Sequence, residues 1–275
     1  RPTAAPDLEI RSRKTPVKAR QNPRKTASYR PISLTSCFGK LLEKMVANRL
    51  SNFLEDNKLL NDNQAGFRQG RNTGDQVLRV IQKATDQIHK KNETSLTLLT
   101  FFDYEKAFDK VWREGLLVKM MRMGVPWRFT KYVRGFLSAR RTWVEVNAQR
   151  SKEFYLNEGL PQGSSISPIL FLIFINDIDS DFDQETIMSL FADDTAAGVQ
   201  GELDPTVKKD ERNEMMLKMT QEKMQAEIDK LVNWANTWKM SLNKQNTEAM
   251  IISSSQNDLS WKPTLMIGES EVTVT

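Results

Sequence analysis

Cysteine is almost missing: Cys37 is the one thiol in 275 residues, so no internal disulfide can form. It reads as a small buried side chain. Histidine is as scarce. His89 alone leaves no imidazole pair for a zinc centre, and with Lys90 and Lys91 beside it the residue reads as part of a wetted helix end. Long apolar runs are missing too. The longest, ILFLIFI at 169–175, lies between Pro168 and Asn176 and falls well short of the roughly 18 residues of a membrane span. Neither an initiator Met nor a secretory pattern opens the chain at RPTAAPDLEI, which reads as an intracellular segment cut from something longer.

Charge is present in both signs. The 40 Lys and Arg face 35 Asp and Glu, a net +5 that permits a polyanionic partner without demanding one. Nine of the basic residues crowd into the first thirty, against Asp7 and Glu9 alone; a solvated tail and a phosphate-touching arm fit that stretch equally. Hydrophobic content of 39% with 27% charged residues belongs to a globular chain, and the length suits one domain or two packed subdomains.

Residues 1–30, with Pro2, Pro6, Pro16 and Pro23, lack periodicity and read as extended or loose. Ser36 can cap a helix in which Phe38, Leu41, Leu42, Met45, Val46, Leu50, Phe53 and Leu54 recur at three- and four-residue steps. A second helix is expected from Thr73 to Lys90, burying Val77, Leu78, Ile81, Ala84 and Ile88, after the polar loop QAGFRQGRNTG (64–74). The period then changes. SLTLLTFFDY (95–104) is a nearly unbroken apolar run, as in a strand buried on both faces. EKAFDKVWREGLLVKMMRMG (105–124) is helical in composition, punctuated by Gly124 and Pro126. RTWVEVNAQ and SKEFYLNEG alternate around a short turn as a hairpin, and Ser167 and Pro168 open the helix carrying ILFLIFI. SLFADD is a further strand with AAGVQ as its returning partner. Beyond a charged loop at 201–213, a helix over about 214–238 supplies Met219, Ile228, Leu231, Trp234 and Trp238, and TEAMIIS (247–253) is another strand. The two tryptophans, four apart on an apolar face, read as core rather than as base-stacking platforms. The fold class is α+β, a small antiparallel sheet backed by long helices.

Two buried strands end in acid. SLFADD delivers Asp193 and Asp194 together, and LTLLTFFD delivers Asp103. Packed in water-poor surroundings, such carboxylates raise one another's pKa until one takes a proton or a divalent cation resolves the conflict. Magnesium suits hard carboxylate oxygen and is commonly held by one or two carboxylates plus substrate phosphates. Adjacent strand residues point to opposite faces, so Asp193 and Asp194 serve one site only beside a tight turn; the small residues from Thr195 to Gly198 allow that bend. Side by side in one sheet, the two strands gather three carboxylates at one edge, the requirement of a two-metal phosphoryl-transfer site. Asp109, six residues after Asp103, reads as structural.

FADD, TFFDYEKAFD and GLPQGSSISPILF stand in the order expected of a reverse transcriptase palm, and YRPISLTSCFGKLLEKMVANRL and QAGFRQGRNT resemble fingers motifs of the non-LTR (LINE-like) retrotransposon enzymes. WANTWKMSLNKQNTEAMII occupies the place of the family's later palm motif, so the resemblance runs from about 29 to 252. It implies a right-hand polymerase: a basic, loosely ordered segment at 1–28, fingers at 29–95 and 112–155, palm at 96–111 and 156–253, and at 254–275 the start of the connection to primer grip and thumb. The thumb itself is missing before the chain stops at VTVT. It implies two magnesium ions, with manganese as a substitute, bridged by Asp103 and Asp193 and completed by Asp194 and the backbone carbonyl of Tyr104. Phe108 matches the bulky residue under the sugar of the incoming nucleotide, whose ring collides with a 2′-hydroxyl. Gln162 and Gly163 match positions near the nucleotide, and Arg68 matches the fingers arginine that clamps triphosphate, with Arg71 as a candidate to share that work. The partners implied are an RNA template, a DNA primer and dNTP, with no membrane; protein partners are left open, as is action in the nucleus.

One departure stands out. Where the family has a lysine just before the threonine of this last motif, a residue that protonates departing pyrophosphate, NKQNTE places Asn246. Lys244 is two residues away, on the same face if the segment is a strand but displaced by about 7 Å. A catalytically degenerate, nucleic-acid-binding remnant and an RNA-templated RNA polymerase are the alternatives; a calcium-binding turn at FADD is the reading from outside the enzyme class.

Overall fold

The computed structural model describes residues 10–11, 32–34, 36–90, 96–146, 149–202, 209–253 and 261–274. Apart from Ile10–Arg11, the expected loose segment at 1–30 lies outside them, as do the side chains of Ile88 and His89. The described chain falls into two units, Arg1–Leu60 with Phe108–Ile175, and Asn61–Ala107 with Asn176–Thr275.

The first unit is mainly helical. Helix α1 (Cys37–Asp56) starts where Ser36 Oγ accepts the Gly39 N–H at 3.0 Å, as a capping serine should. Its packed face keeps only part of the expected apolar set. Ala47, Leu50 and Leu54 are buried, while Leu41, Leu42, Met45 and Cys37 are exposed and Phe38 is 88% exposed. The face instead admits a charge: Glu43 is buried because the Ser164 hydroxyl (2.6 Å) and the Ser165 N–H (2.9 Å) both donate to its Oε2. Helix α6 (Ser167–Ile175) is buried at every residue but Pro168, as ILFLIFI requires.

The helix expected over 105–124 is broken into α3 (Ala107–Lys110) and α4 (Arg113–Arg122), followed by α5 (Trp127–Leu137). The break follows from a loop that docks there: Gly159 N–H donates to Val111 O (2.9 Å) and Leu160 N–H to Phe108 O (2.7 Å). Arg113, buried, then ties that loop down by donating to the carbonyls of Gly159, Leu137, Leu156 and Glu158 at 2.5–2.9 Å. The expected hairpin is split. Strand β3 (Arg141–Thr142) pairs with β6 (Phe154–Tyr155), whereas β4 (Val144–Val146) pairs with β5 (Gln149–Arg150) and, in parallel, with β1 (Ile10–Arg11).

The second unit holds a five-stranded sheet. Strand β2 (Leu96–Phe102) is central, with β8 (Asp194–Gly201) and β7 (Ile187–Phe191) on one side and β9 (Glu248–Ser253) and β12 (Thr273–Val274) on the other. All pairings are antiparallel except β12 with β9. Strand β2 is buried at every position but Phe101, in keeping with cover on both faces. Helix α7 (Lys209–Thr237) packs on β8, and α2 (Thr73–Lys90) packs on β7.

Two helix faces need correction. In α2 the buried apolar residues are Val80 and Ala84, with Val77, Leu78 and Ile81 exposed; in α7, which begins inside the expected 201–213 loop, Met216 and Met224 are buried and Met219 is exposed. Trp234 and Trp238 are core, and the Trp234 indole donates to Asp177 Oδ1 at 2.9 Å. A small hairpin, β10 (Met266–Ile267) with β11 (Ser270–Glu271), was not anticipated.

Candidate active site

The sheet of the second unit gathers its acid at one end. The last pair of the β7–β8 hairpin is Phe191 with Asp194, so Ala192 and Asp193 form a two-residue turn. The bend therefore falls before Asp194, not in Thr195–Gly198, which is strand. Ala192 sits at φ +57, an unfavourable conformation for a residue with a Cβ, and the surroundings enforce it. Gln64, buried, accepts from Ala192 N–H (2.9 Å) and Gly66 N–H (2.7 Å) through Oε1 and donates to Ala192 O (3.2 Å). Backbone bonds from Ala65 N–H to Leu190 O and from Leu190 N–H to Asn63 O complete the fastening. Position 66 tolerates only glycine, because a Cβ there would stand 2.1 Å from Ala192 N. The QAG of QAGFRQG thus braces the FADD turn, a role the sequence reading did not assign to Gln64; its glutamine-glycine spacing beside an arginine loop was the available clue.

The register of β2 on β8 ends with Phe102 opposite Thr195, so one step further along each chain stand Asp103 and Asp194. Partial burial, then the charge of Asp193, then that of Asp103 hold the Asp194 carboxyl above its ordinary value. The three carboxylates therefore share one field. Among the described residues, no group of three or more acidic, imidazole or thiol side chains is arranged to hold a metal ion as the side chains stand. The acidic end of the sheet offers hard oxygen atoms, the donor type a divalent cation takes when substrate phosphates and water complete its shell.

A raised carboxyl destabilises as it ionises. In the cation-free protein this penalty is absent below the ordinary carboxylate range and complete once pH exceeds the raised value. Asp194→Asn is therefore expected to raise the melting temperature of the cation-free protein at about pH 7 and leave it unchanged at about pH 3. An unchanged melting temperature at both pH values, by calorimetry, would show that the three groups do not repel one another.

Tyr104 follows Asp103 and pairs with Leu242. The flanking bonds run from Glu105 N–H to Ser241 O (2.9 Å) and from Asn243 N–H to Asp103 O (2.8 Å). In such a pair the intervening residue turns its own carbonyl away from that neighbour, here to the β8 side of the sheet. Burial pushes the Tyr104 phenol above its ordinary range, so the hydroxyl stays neutral. Arg68 donates to Asn61 O (2.8 Å) and Gln64 O (3.3 Å), and Arg71 to Asp62 O (2.6 Å) and Gln64 O (3.1 Å). Both guanidiniums brace their own loop in this state. Lys244 and Asn246 lie in a turn rather than a strand, so the same-face argument for Lys244 does not apply. The Lys244 ammonium rests against Gly268.

Phe108, Gln162 and Gly163 belong to the first unit. The half-buried Phe108 ring stacks on Phe171 of α6, centroids 4.4 Å apart at 15°. Gln162 Nε2 donates to Asp109 Oδ1 (2.9 Å), which gives Asp109 a bonding partner in the LPQG loop. Gly163 has φ +99, and a Cβ there would stand 2.9 Å from Ser33 O, so glycine is required for the loop's own path.

A four-stranded antiparallel core with carboxylates at one end and long helices against it, in a chain with a second, mainly helical unit, is the fold of the palm-and-fingers class. Solved structures share the fold: telomerase from Candida tropicalis bound to a TWJ fragment of telomeric RNA matches 88% of this chain and 41% of its own, at TM-score 0.58 and 12% identity. The apo telomerase truncated from its C-terminal domain matches 90% of this chain and 51% of its own, at TM-score 0.56 and 13% identity.

The family model described as reverse transcriptase (RNA-dependent DNA polymerase) matches residues 17–271, and the chain belongs to that family, in its non-LTR retrotransposon branch. The RNA-directed DNA polymerase from mobile element jockey of Drosophila melanogaster is 30% identical over 234 residues, 83% of this chain and 24% of the relative. Its counterpart in Drosophila funebris is 28% identical over 249 residues, 88% of this chain and 25% of the relative. The chain thus spans about a quarter of these relatives' length. The family generally uses divalent metal ions.

Proposed function

We propose that the protein is an RNA-directed DNA polymerase that extends a DNA primer on an RNA template. The observation that supports this reading is the register of the sheet, which ends β2 and β8 on Asp103 and Asp194 one step beyond their last pair, with Asp193 in the adjoining β7–β8 turn. Asp103, Asp193, Asp194 and the Tyr104 carbonyl would hold two magnesium ions, or manganese, which when bound supply the positive charge that activates the primer hydroxyl and stabilises the leaving pyrophosphate. Phe108 stands under the sugar and excludes ribonucleotides by bulk. Gln162 and Gly163 border the nucleotide. Arg68, with Arg71, meets the triphosphate, a job suited to a fixed guanidinium fork. In this reading residues 29–95 and 112–155 are fingers, 96–111 and 156–253 are palm, and the work takes place inside the cell, in the nucleus where the target is chromosomal.

The test is primer extension by the full-length protein on an RNA template annealed to DNA, with dNTPs and magnesium. Extension that a chelator stops supports the reading. A folded protein that never extends the primer overturns it, and extension with ribonucleotides alone moves the assignment to an RNA-templated RNA polymerase.

A further inference from the structure

The segment after α7 closes on the first carboxylate. Residues 243–246 form a tight turn, with Asn246 N–H donating to Asn243 O at 3.1 Å. Thr247, fully buried, pins the turn by donating from Oγ1 to the same carbonyl at 3.0 Å. The turn then grips Asp103 three times. Asn243 N–H donates to its carbonyl at 2.8 Å, and the side-chain amides of Asn243 and Asn246 both donate to its Oδ2, each at 2.8 Å. A carboxylate oxygen offers two lone-pair sites, so two donors occupy Oδ2 and leave Oδ1 as the oxygen for a cation.

The chemistry of the donors matters. An ammonium at the same distance would neutralise Asp103 and compete with the cation for it. An amide orients the carboxylate without cancelling its charge, and it has no proton to surrender at neutral pH. We propose that Asn246, together with Asn243, is a positioning residue that fixes the Asp103 carboxylate and reserves Oδ1 for the divalent ion. Asn246 thereby serves the metal site rather than the departing pyrophosphate. This rests on the polymerase reading for the role of Asp103, although the clamp itself is testable without catalysis. Hydrogen-bonding partners of metal ligands are worth about 10- to 100-fold in metal affinity, which sets the scale of the effect.

The experiment uses the full-length protein and Asn246→Ala, Asn246→Asp and Asn246→Lys variants, each checked for folding by thermal melting. Binding of Mn2+ alone, without nucleotide or primer, is followed by electron paramagnetic resonance, and the magnesium dependence of primer extension is measured separately. Asn246→Ala is expected to weaken Mn2+ binding and to raise the half-saturating magnesium concentration by about tenfold, with kcat at saturating magnesium largely kept. Asn246→Asp keeps the shape but replaces the donor with an acceptor, and should show the same two changes, separating hydrogen bonding from packing. Asn246→Lys should also raise the magnesium requirement. Unchanged metal dependence in Asn246→Ala overturns the proposal, as does an Asn246→Lys enzyme that turns over faster at the original magnesium requirement. A wild-type protein that binds Mn2+ and loses it in Asn246→Ala, yet never extends a primer, keeps the clamp and overturns the polymerase reading instead.

Discussion

Asp103→Ala is expected to reduce magnesium-dependent primer extension by roughly 10³-fold or more, a loss of about 4 kcal/mol of transition-state stabilisation. The residue stands one step beyond the last β2–β8 pair, and its charge reaches Asp194. Removing it takes away the carboxylate offered by one of the two strands. The fold should survive. Asp103 is only half-buried, and of the two amides left behind Asn246 is exposed and can turn to water. Asp193→Ala should behave alike, whereas Asp181→Ala, on an exposed turn of the same unit, should leave extension intact. Mn2+ binding measured alongside separates the causes. Loss of extension with full Mn2+ binding would remove Asp103 from the metal site, and full extension in a folded Asp103→Ala protein would end the two-metal reading altogether.

The site's chemistry was more legible in the sequence than the packing around it. Apolar strands are short and end abruptly, so LTLLTFFD and SLFADD announced both the strands and the acid at their exits. The hairpin partner AAGVQ and the bounds of α2 followed from the same change of period. Helix faces were less legible, for a physical reason. In α1 and α2 the apolar residues spread over more than one stripe, and periodicity alone does not say which stripe meets a neighbour. Phe38, Leu41 and Val77 consequently lie exposed while Ala47 and Ala84 are buried. Contacts made across long separations were not legible either. Gln64 braces Ala192 from 128 residues away, and Asn246 reaches Asp103 from 143 away, through bonds that no local pattern encodes. Asn246 shows the cost most plainly: the motif marked it as a defect, and its amide turns out to hold the carboxylate on which the reading depends.

Phe108→Ala should lower the preference for dNTP over NTP by about 10²-fold, the scale at which a shaped apolar surface rejects one added hydroxyl. A steric barrier works only if the ring cannot move aside, and two constraints fix this one. Its face is stacked on Phe171, which is fully buried in α6, and its backbone carbonyl accepts the Leu160 N–H at 2.7 Å. Losing the stacked pair costs about 0.5–1.5 kcal/mol beyond the area lost, so the variant should melt lower yet remain folded. The decisive quantity is the ratio of kcat/KM for a dNTP to that for its ribonucleotide counterpart. Phe108→Tyr keeps the bulk and should keep the ratio. Phe171→Ala leaves Phe108 in place but removes its backing, and should lower the ratio part of the way by letting the ring swing. A folded Phe108→Ala enzyme with undiminished selectivity would make the ring packing for α6 and nothing more, because a side chain that excludes a hydroxyl by bulk cannot be deleted without admitting it.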